Sequence, residues 1–505
     1  MKRYILSLPP ELLVKSLEGL SVEDVVRVAQ TCSKFRSLIK SNKATLCATS
    51  DSHMLKLPLD RPLNTVPSEL LHIRAVQSLK TASHIARRPL DLREKISIPI
   101  SGPGLEYDPA NPPANFFTHK NILVFRCQSR LVIMEMVEAG VIDKIVHFQL
   151  EIGEYRYHIG YRLSEDESTL HVVSLAYQPK QKVSSLQVRE ICISNRAFGE
   201  TTFLFRFGLP ASEPKSVSIR DPYAAIVTHV NCIIVDWRRE LGIILVVKDP
   251  ARIERHPMHT KYSNRGIELI HFHPIESSMI LSSTYSDGEG EAKFYTKSIP
   301  SDMTPLDRSG KESSKESSWI TRTIRPRALP CYTAGPDVDF YCELVPMGFR
   351  RLPDSTWVFQ AVGYTPSTNG HPGHVIGEPS PVFQVLYDVS NWTYQTDFLD
   401  ITLTGEEGDL FFPMGNYRGG GQVIFPLVDV TTQDDDGYII VPEFGNGSQH
   451  DVGWVKLKVS GLPKKHRSED QMPDVEYWKA IFPAVDLVTR RLYLCLPKGF
   501  FVYEY

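Results

Sequence analysis

The stretch Leu8-Pro9-Pro10-Glu11-Leu12-Leu13-Val14-Lys15-Ser16-Leu17-Glu18-Gly19-Leu20-Ser21-Val22-Glu23-Asp24-Val25-Val26-Arg27-Val28-Ala29-Gln30-Thr31-Cys32-Ser33-Lys34-Phe35-Arg36-Ser37-Leu38-Ile39 decides how the chain begins. It divides into three short helices. Pro9 and Pro10 suit a helix start, where a missing N–H costs nothing. Leu12, Leu13, Leu17 and Leu20 recur near helical spacing. Gly19 ends the first helix, because glycine enters the left-handed exit conformation freely. Ser21, with Asp24 three residues on, has the layout of a capping box with Asp in place of Glu or Gln. Val25, Val28, Ala29 and Cys32 follow at i, i+3, i+4 and i+7, one apolar stripe on the second helix. Ser33 is expected to cap the third helix, with Phe35, Leu38 and Ile39 turned inward. Periodicity alone would fit any amphipathic three-helix cap on a following domain.

The order of these residues is more specific than their hydrophobicity. The opening Leu8-Pro9-x-Glu11-Leu12-Leu13, the middle Leu17-x-x-Leu20-Ser21 and the closing Val25-x-x-Val28-Ala29-Gln30-Thr31-Cys32-x-x-Phe35-x-x-Leu38 resemble the F-box. Two positions depart from the family: Ser16 stands where Ile is usual, and the Trp expected near Leu46-Cys47 is absent. The resemblance implies that residues 1–48 dock on a Skp-family adaptor and through it on a cullin–RING ubiquitin ligase. It makes Leu8, Pro9, Leu12, Leu13, Leu17, Leu20, Val25, Val28, Cys32, Phe35 and Leu38 the adaptor-binding candidates. Leu8, Pro9, Leu12 and Leu13 are the foremost contacts, while Val25, Val28 and Phe35 include internal positions.

At 505 residues the chain is long enough for two or more structural units. A hydrophobic content of 42% supports a substantial core. The net charge of −3 lacks the basic field of a nucleic-acid binder. Lys464-Lys465-His466-Arg467 is too short to change that and fits a solvated loop. The eight cysteines contain no C-x-x-C pair, which removes zinc-ribbon and thioredoxin readings. Reduced thiols in the cytoplasm or nucleus are the expectation. Pro9, Pro10, Glu11 and Lys15 break the N-terminal apolar run, so no signal peptide is expected. No apolar run approaches the roughly 18 residues of a membrane span.

Residues 49–118 form the expected connector, with a helix near 68–87 and a proline-rich boundary through Pro99, Pro103, Pro109, Pro112 and Pro113. From about Asn121 the chain turns to β-branched and aromatic runs separated by turn residues. Examples are Ile122-Leu123-Val124-Phe125, Leu170 to Ala176, Ala224 to Asp236, Leu241 to Val247, Val382 to Val389 and Leu492 to Leu496. Groups of strands recur at roughly 40–55 residues, the range of propeller blades. The expected fold is therefore mainly β with N-terminal α: a three-helix F-box, a connector helix, then an irregular β-propeller over 119–505. A β-sandwich is the alternative. Ser301 to Ser318, nearly devoid of apolar residues, reads as a disordered insert, and Asn369 to Pro381 as a second long loop.

Other constellations lead to no catalytic or metal assignment. His271-Phe272-His273, with His256 and His259 nearby, has no carboxylate or thiol at ligand spacing. Asp434-Asp435-Asp436-Gly437 with Glu443 imitates part of a calcium loop, but Thr432 occupies the first ligand position. Gly419-Gly420-Gly421 precedes a strand and lacks the Lys of a phosphate loop. The expectation is a non-catalytic substrate-recognition subunit of an SCF-type ligase, without cofactor, metal, nucleic acid or membrane, holding an unknown target protein on its β domain. A scaffold or sensor working outside a ligase is the alternative; a propeller glycan hydrolase ranks lower. In general plan the chain is similar to F-box families expanded in fungi.

Overall fold

The computed structural model describes residues 8–50, 52, 55, 66–85, 90–91, 94–98, 108, 113–136, 142–151, 155–164, 166–194, 197–209, 213–229, 231–247, 267–283, 293–306, 319–324, 326–329, 343–352, 356–364, 382–399, 427–429, 436–443, 453–460, 484–486, 491–496 and 499–504. His256, His259, Thr432, Asp434, Asp435, Gly419 to Gly421, Lys464 to Arg467, and the segments 307–318 and 369–381 lie outside them.

Among the described residues five helices open the chain. α1 (Pro10–Ser16) starts at Pro9, whose carbonyl accepts from the Leu12 and Leu13 amides, each at 3.1 Å. Gly19 has φ +78° and its N–H donates to Ala48 O at 3.0 Å, so the exit from α1 is tied to the end of the helical unit. α2 (Val22–Thr31) is capped by Ser21, whose Oγ accepts from Asp24 N at 3.1 Å and donates to Asp24 Oδ2 at 2.8 Å. The acidic side chain thus engages the cap hydroxyl. α3 (Ser33–Ser41) begins one residue earlier than expected: its cap is Cys32, without a side-chain bond, and Ser33 is the first helical residue. α4 (Ala44–Cys47) adds a fourth turn, with Asn42 Oδ1 accepting from Ala44 N at 3.0 Å. α5 (Ser68–Ile85) packs on α2, α3 and α4.

The body consists, among the described residues, of seven sheets met in chain order. The first holds Ala114–His119, Ile122–Cys127, Arg130–Met136 and Ile142–Gln149; the second Arg156–Leu163, Thr169–Gln178, Val183–Cys192 and Thr201–Leu209. The third holds Pro214–Arg220, Tyr223–Thr228, Cys232–Asp236 and Leu241–Val247; the fourth Ile267–Phe272, Ser278–Ser283, Lys293–Ser298 and Arg327–Ala328. The fifth holds Glu343–Arg351, Trp357–Tyr364, Val382–Asp388 and Thr393–Leu399. The sixth takes Leu427–Asp429, Asp436–Glu443 and Gly453–Ser460, and the seventh Ala484–Asp486, Arg491–Leu496 and Gly499–Glu504.

The last two sheets are completed from the other end of the chain. Leu90–Asp91 pairs parallel with Gly453–Ser460, and Glu94–Ile98 pairs antiparallel with Gly499–Glu504. The segment expected as a connector therefore supplies outer strands, and Ala114–His119, all but its last residue assigned by sequence to that connector, is the first strand of the first sheet. The physical reason is edge protection: without these strands two sheets would present unpaired N–H and C=O groups. First strands of successive sheets lie side by side from the first sheet to the fifth, and Ala484–Asp486 lies beside Ala114–His119, turning the series back on itself.

Alternation along each strand sends neighbouring side chains to opposite sheet faces. Leu123 and Phe125 pack with Tyr493 and Phe500 of the seventh sheet, while Val124 packs with Leu170 and Ile191 of the second. Val173 and Leu186 then meet Ile226 and Val235; Ala225 and Ile234 meet Ile270 and Leu281; Ile280 and Phe294 meet Phe359 and Tyr387. The first four sheets thus bury both faces. A two-layer sandwich buries one face of each sheet, so that alternative is set aside, and the fold is a β-propeller behind N-terminal helices.

Burial on both faces explains why the middle strands read as unbroken apolar runs; all of Cys232–Asp236 is buried. The single strand expected over Ala224 to Asp236 is two, broken where the Asn231 N–H donates to Thr228 Oγ1 at 3.0 Å. The insert expected over 301–318 is ordered at its start. Thr304–Pro305 and Thr321–Ile324 both pair with Leu241–Val247, and Met303, Leu306 and Trp319 pack into the third sheet's cores.

Candidate functional site

The helical unit divides its apolar residues into three sets. Leu13, Leu17, Val25, Phe35 and Ile39 form one core with Leu71 and Ala75 of α5. Leu20, Val28, Cys32 and Leu38 line its margin, half-buried. Leu8, Pro9 and Leu12 stand outside it, with Leu8 39% and Leu12 51% exposed. Leu13, expected as a foremost contact, is 0% exposed. Successive residues on a helix point about 100° apart, so α1 cannot turn Leu12 and Leu13 to the same side. Leu17, Val25 and Phe35 are also inside, which leaves Leu8, Pro9 and Leu12 as the free ridge, with the half-buried set beside the core.

On α2 the buried positions are Val22, Val25, Val26 and Ala29. The expected stripe through Val28 and Cys32 is displaced because α3 and α5 both pack on α2 and broaden its covered arc. The two departures from the family pattern have local accounts. Ser16 is exposed and its Oγ donates to Leu13 O at 2.7 Å, satisfying a carbonyl at the end of α1. Leu46 in α4 is fully buried in the helical core near the expected Trp position. Sequence reasoning missed Leu46 and Ala75 as parts of this core, and it reads Leu71, with Leu70, Val76 and Leu79, only as the apolar face of a separate helix.

Charged residues are spread over the helical unit. Glu11 and Lys15 are exposed on α1, and Arg27 pairs with Glu23 at 2.5 Å on α2. His72 of α5 is half-buried; burial, then the Lys40 and Arg36 charges, push its pKa down. A partner could exclude water from two leucines and a proline, with Glu11 and Lys15 solvated on the same helix. Such an exposed apolar ridge on a short helix is compatible with a helix-in-groove contact.

The other histidine constellation is structural. His271 lies edge-on to Phe359 at 5.3 Å between ring centroids, and His273 edge-on to Phe349 at 4.7 Å. His273 Nδ1 accepts from the amides of Ile275 and Glu276, at 3.2 and 2.9 Å. Among the described residues no three His, Cys, Asp or Glu side chains form a metal-holding group. No described helix is long and apolar enough to cross a membrane.

Residues 5–46 match the F-box domain family. No curated protein matches the chain. Among solved structures, the WD40 domain of SCAP from fission yeast is 9% identical with a TM-score of 0.37, covering 78% of this chain and 84% of that one. Hsv2 of Kluyveromyces lactis is 9% identical with a TM-score of 0.24, covering 69% of this chain and 98% of that one. At those scores neither adds to the strand pairing above. The N-terminal helices are an F-box domain, the element by which F-box adaptors of SCF-type ligases bind their Skp-type partner, and it stands here before a β-propeller body.

Proposed function

We propose that the chain is a substrate-recognition subunit of a cullin–RING ligase, binding a Skp-family adaptor through Leu8, Pro9 and Leu12 and a target protein through the β body. The single observation that carries this is the exposure of Leu12 on α1 and of Leu8 just before it, beside a Leu13 that is fully buried. Folding leaves these apolar groups in water, and a partner's groove would remove them from it. The subunit performs no covalent step. It raises the effective concentration of a target lysine beside the conjugating enzyme, as tethering does generally. Cys32, Cys47, Cys127, Cys192, Cys232 and Cys495 are all free thiols, which fits work in the cytoplasm or nucleus.

The test is affinity purification of the wild type beside the Leu8→Asp/Leu12→Asp double variant. Adaptor and cullin should accompany the wild type. Both should be lost from the variant, with affinity down on the order of 100-fold, since a few central anchors carry most of an interface's energy. A wild-type chain that captures no adaptor ends the proposal. Adaptor without cullin would favour the scaffold reading.

A further inference from the structure

Where α5 approaches the body, four charged or ionisable side chains meet, none of them on the adaptor ridge. Arg74 of α5 is buried, which for an arginine calls for partners. Its Nη2 stands 3.4 Å from His119 Nδ1. On the other side of the imidazole, Nε2 lies 3.2 Å from Glu167 Oε2, with neither side chain more than 2% exposed. Lys120 Nζ reaches the same oxygen at 3.1 Å. His119 and Lys120 belong to the first hairpin of the first sheet, and Glu167 to the first hairpin turn of the second.

Both turns are shaped to aim these groups. Lys120 has φ +52° and Glu167 φ +59°, the left-handed region that side chains avoid. The second turn is held by Asp166, which accepts from Ser164 Oγ and Ser168 Oγ, each at 2.6 Å, and from Ser168 N at 3.1 Å. Those bonds bring the Asp166 carboxyl down to about 2. A carboxylate at a hairpin tip ordinarily projects into water; Glu167 is turned inward against the charge brought by the helix.

The hydrogen positions follow from the donors. Arginine only donates, so His119 Nδ1 accepts and the ring proton is on Nε2, toward Glu167. We infer that Arg74, His119, Glu167 and Lys120 form a latch that holds the F-box unit at one angle on the propeller and loosens in acid. Protonating His119 at Nδ1 sets two donors against each other and adds a positive charge beside Arg74 and Lys120, with Glu167 the carboxylate that the described residues set against the ring.

Burial, with Arg74 and Lys120 acting the same way and Glu167 opposing, takes His119 down to about 4. Burial disfavours the Glu167 charge too, but His119, Arg74 and Lys120 outweigh it and hold that carboxyl well below the usual range. An unfolded histidine takes up its proton near ~6.5 and an unfolded glutamate near ~4.3. The folded latch therefore binds fewer protons than the released one, and its stability falls as pH drops from about 6.5 toward about 4. Any effect of the latch on ubiquitin transfer rests on the ligase reading above; the latch itself does not.

The experiment is amide hydrogen exchange on the full chain without adaptor, corrected for the intrinsic pH dependence of exchange. Glu167→Gln should speed exchange of α5 by about tenfold or more, the scale of losing a charged partner in a buried contact, while the third sheet stays as in wild type. Lys120→Met, at the latch's most exposed member, should give a smaller change in the same direction and keeps the test alive if Glu167→Gln unfolds. His119→Gln retains an acceptor and a donor without titrating, so the loosening of α5 between pH 6.5 and 5 should disappear. Wild-type exchange of α5 in folded Glu167→Gln and Lys120→Met overturns the latch, as does equal acceleration across the third sheet. Acid loosening that persists in His119→Gln overturns its titration. Adaptor capture is scored separately, so failure of the ligase reading leaves this result standing.

Discussion

At Leu12 the side chain is 51% exposed, and one position on, at Leu13, it is 0% exposed. The two leucines are equivalent as sequence and carry different energies. Leu13→Ala should destabilise the helical unit by about 2–5 kcal/mol, the cost of deleting packed methyl groups and leaving a cavity. Urea unfolding followed by helix signal would read it. Leu8→Asp/Leu12→Asp should move the same midpoint by no more than about 0.5 kcal/mol, the range of ordinary surface changes. The leucine spacing was legible, because apolar periodicity survives in a single sequence. The side each leucine takes was not, because it depends on where α3, α4 and α5 stand. Glu167 is the stronger case: within Ser164-Glu165-Asp166-Glu167-Ser168 nothing marks it as buried, and the groups that hold its charge inside, His119, Arg74 and Lys120, all lie more than 40 positions away in sequence.

Among elements, those with local signals were readable and those that borrow stability from neighbours were not. The α2 cap was visible as Ser21 and Asp24, and Ser21→Ala should cost about 1 kcal/mol in a thermal melt of the helical unit. Central strands were visible as apolar runs because both their faces are covered. Ile142–Gln149, at the outer edge of the first sheet, has no fully buried residue and gave no such run. Pro214–Arg220 opens on a proline and carries two arginine or lysine residues, so it too looked like a connection. Beside the two short strands paired with Leu241–Val247, Trp319 packs closely over Gly242. A Cβ on Gly242 would overlap Trp319 Cζ3 and crowd Leu306. Gly242→Ala should therefore push the indole off the sheet at a cost of about 1–3 kcal/mol, typical of overpacking. The checks are a lower melting temperature and red-shifted tryptophan emission.

For the whole molecule the decisive pairing joins the two ends of the body. Glu94–Ile98 covers the edge of Gly499–Glu504, and Leu90–Asp91 covers Gly453–Ser460. Removing residues 1–88 should leave the propeller monomeric, whereas removing 1–98 should expose two strand edges and give a lower melting temperature and larger species on size exclusion. The sequence by itself determined that helices come first, that the long remainder is β, and that the opening motif is an F-box, because each rests on residues near one another in the chain. Tertiary structure alone decided that the supposed connector closes the ring, that Leu13 is core while Leu12 is surface, and that α5 is latched to two hairpin turns. Those outcomes depend on contacts between residues far apart in sequence, and periodicity carries no record of which distant partner arrives.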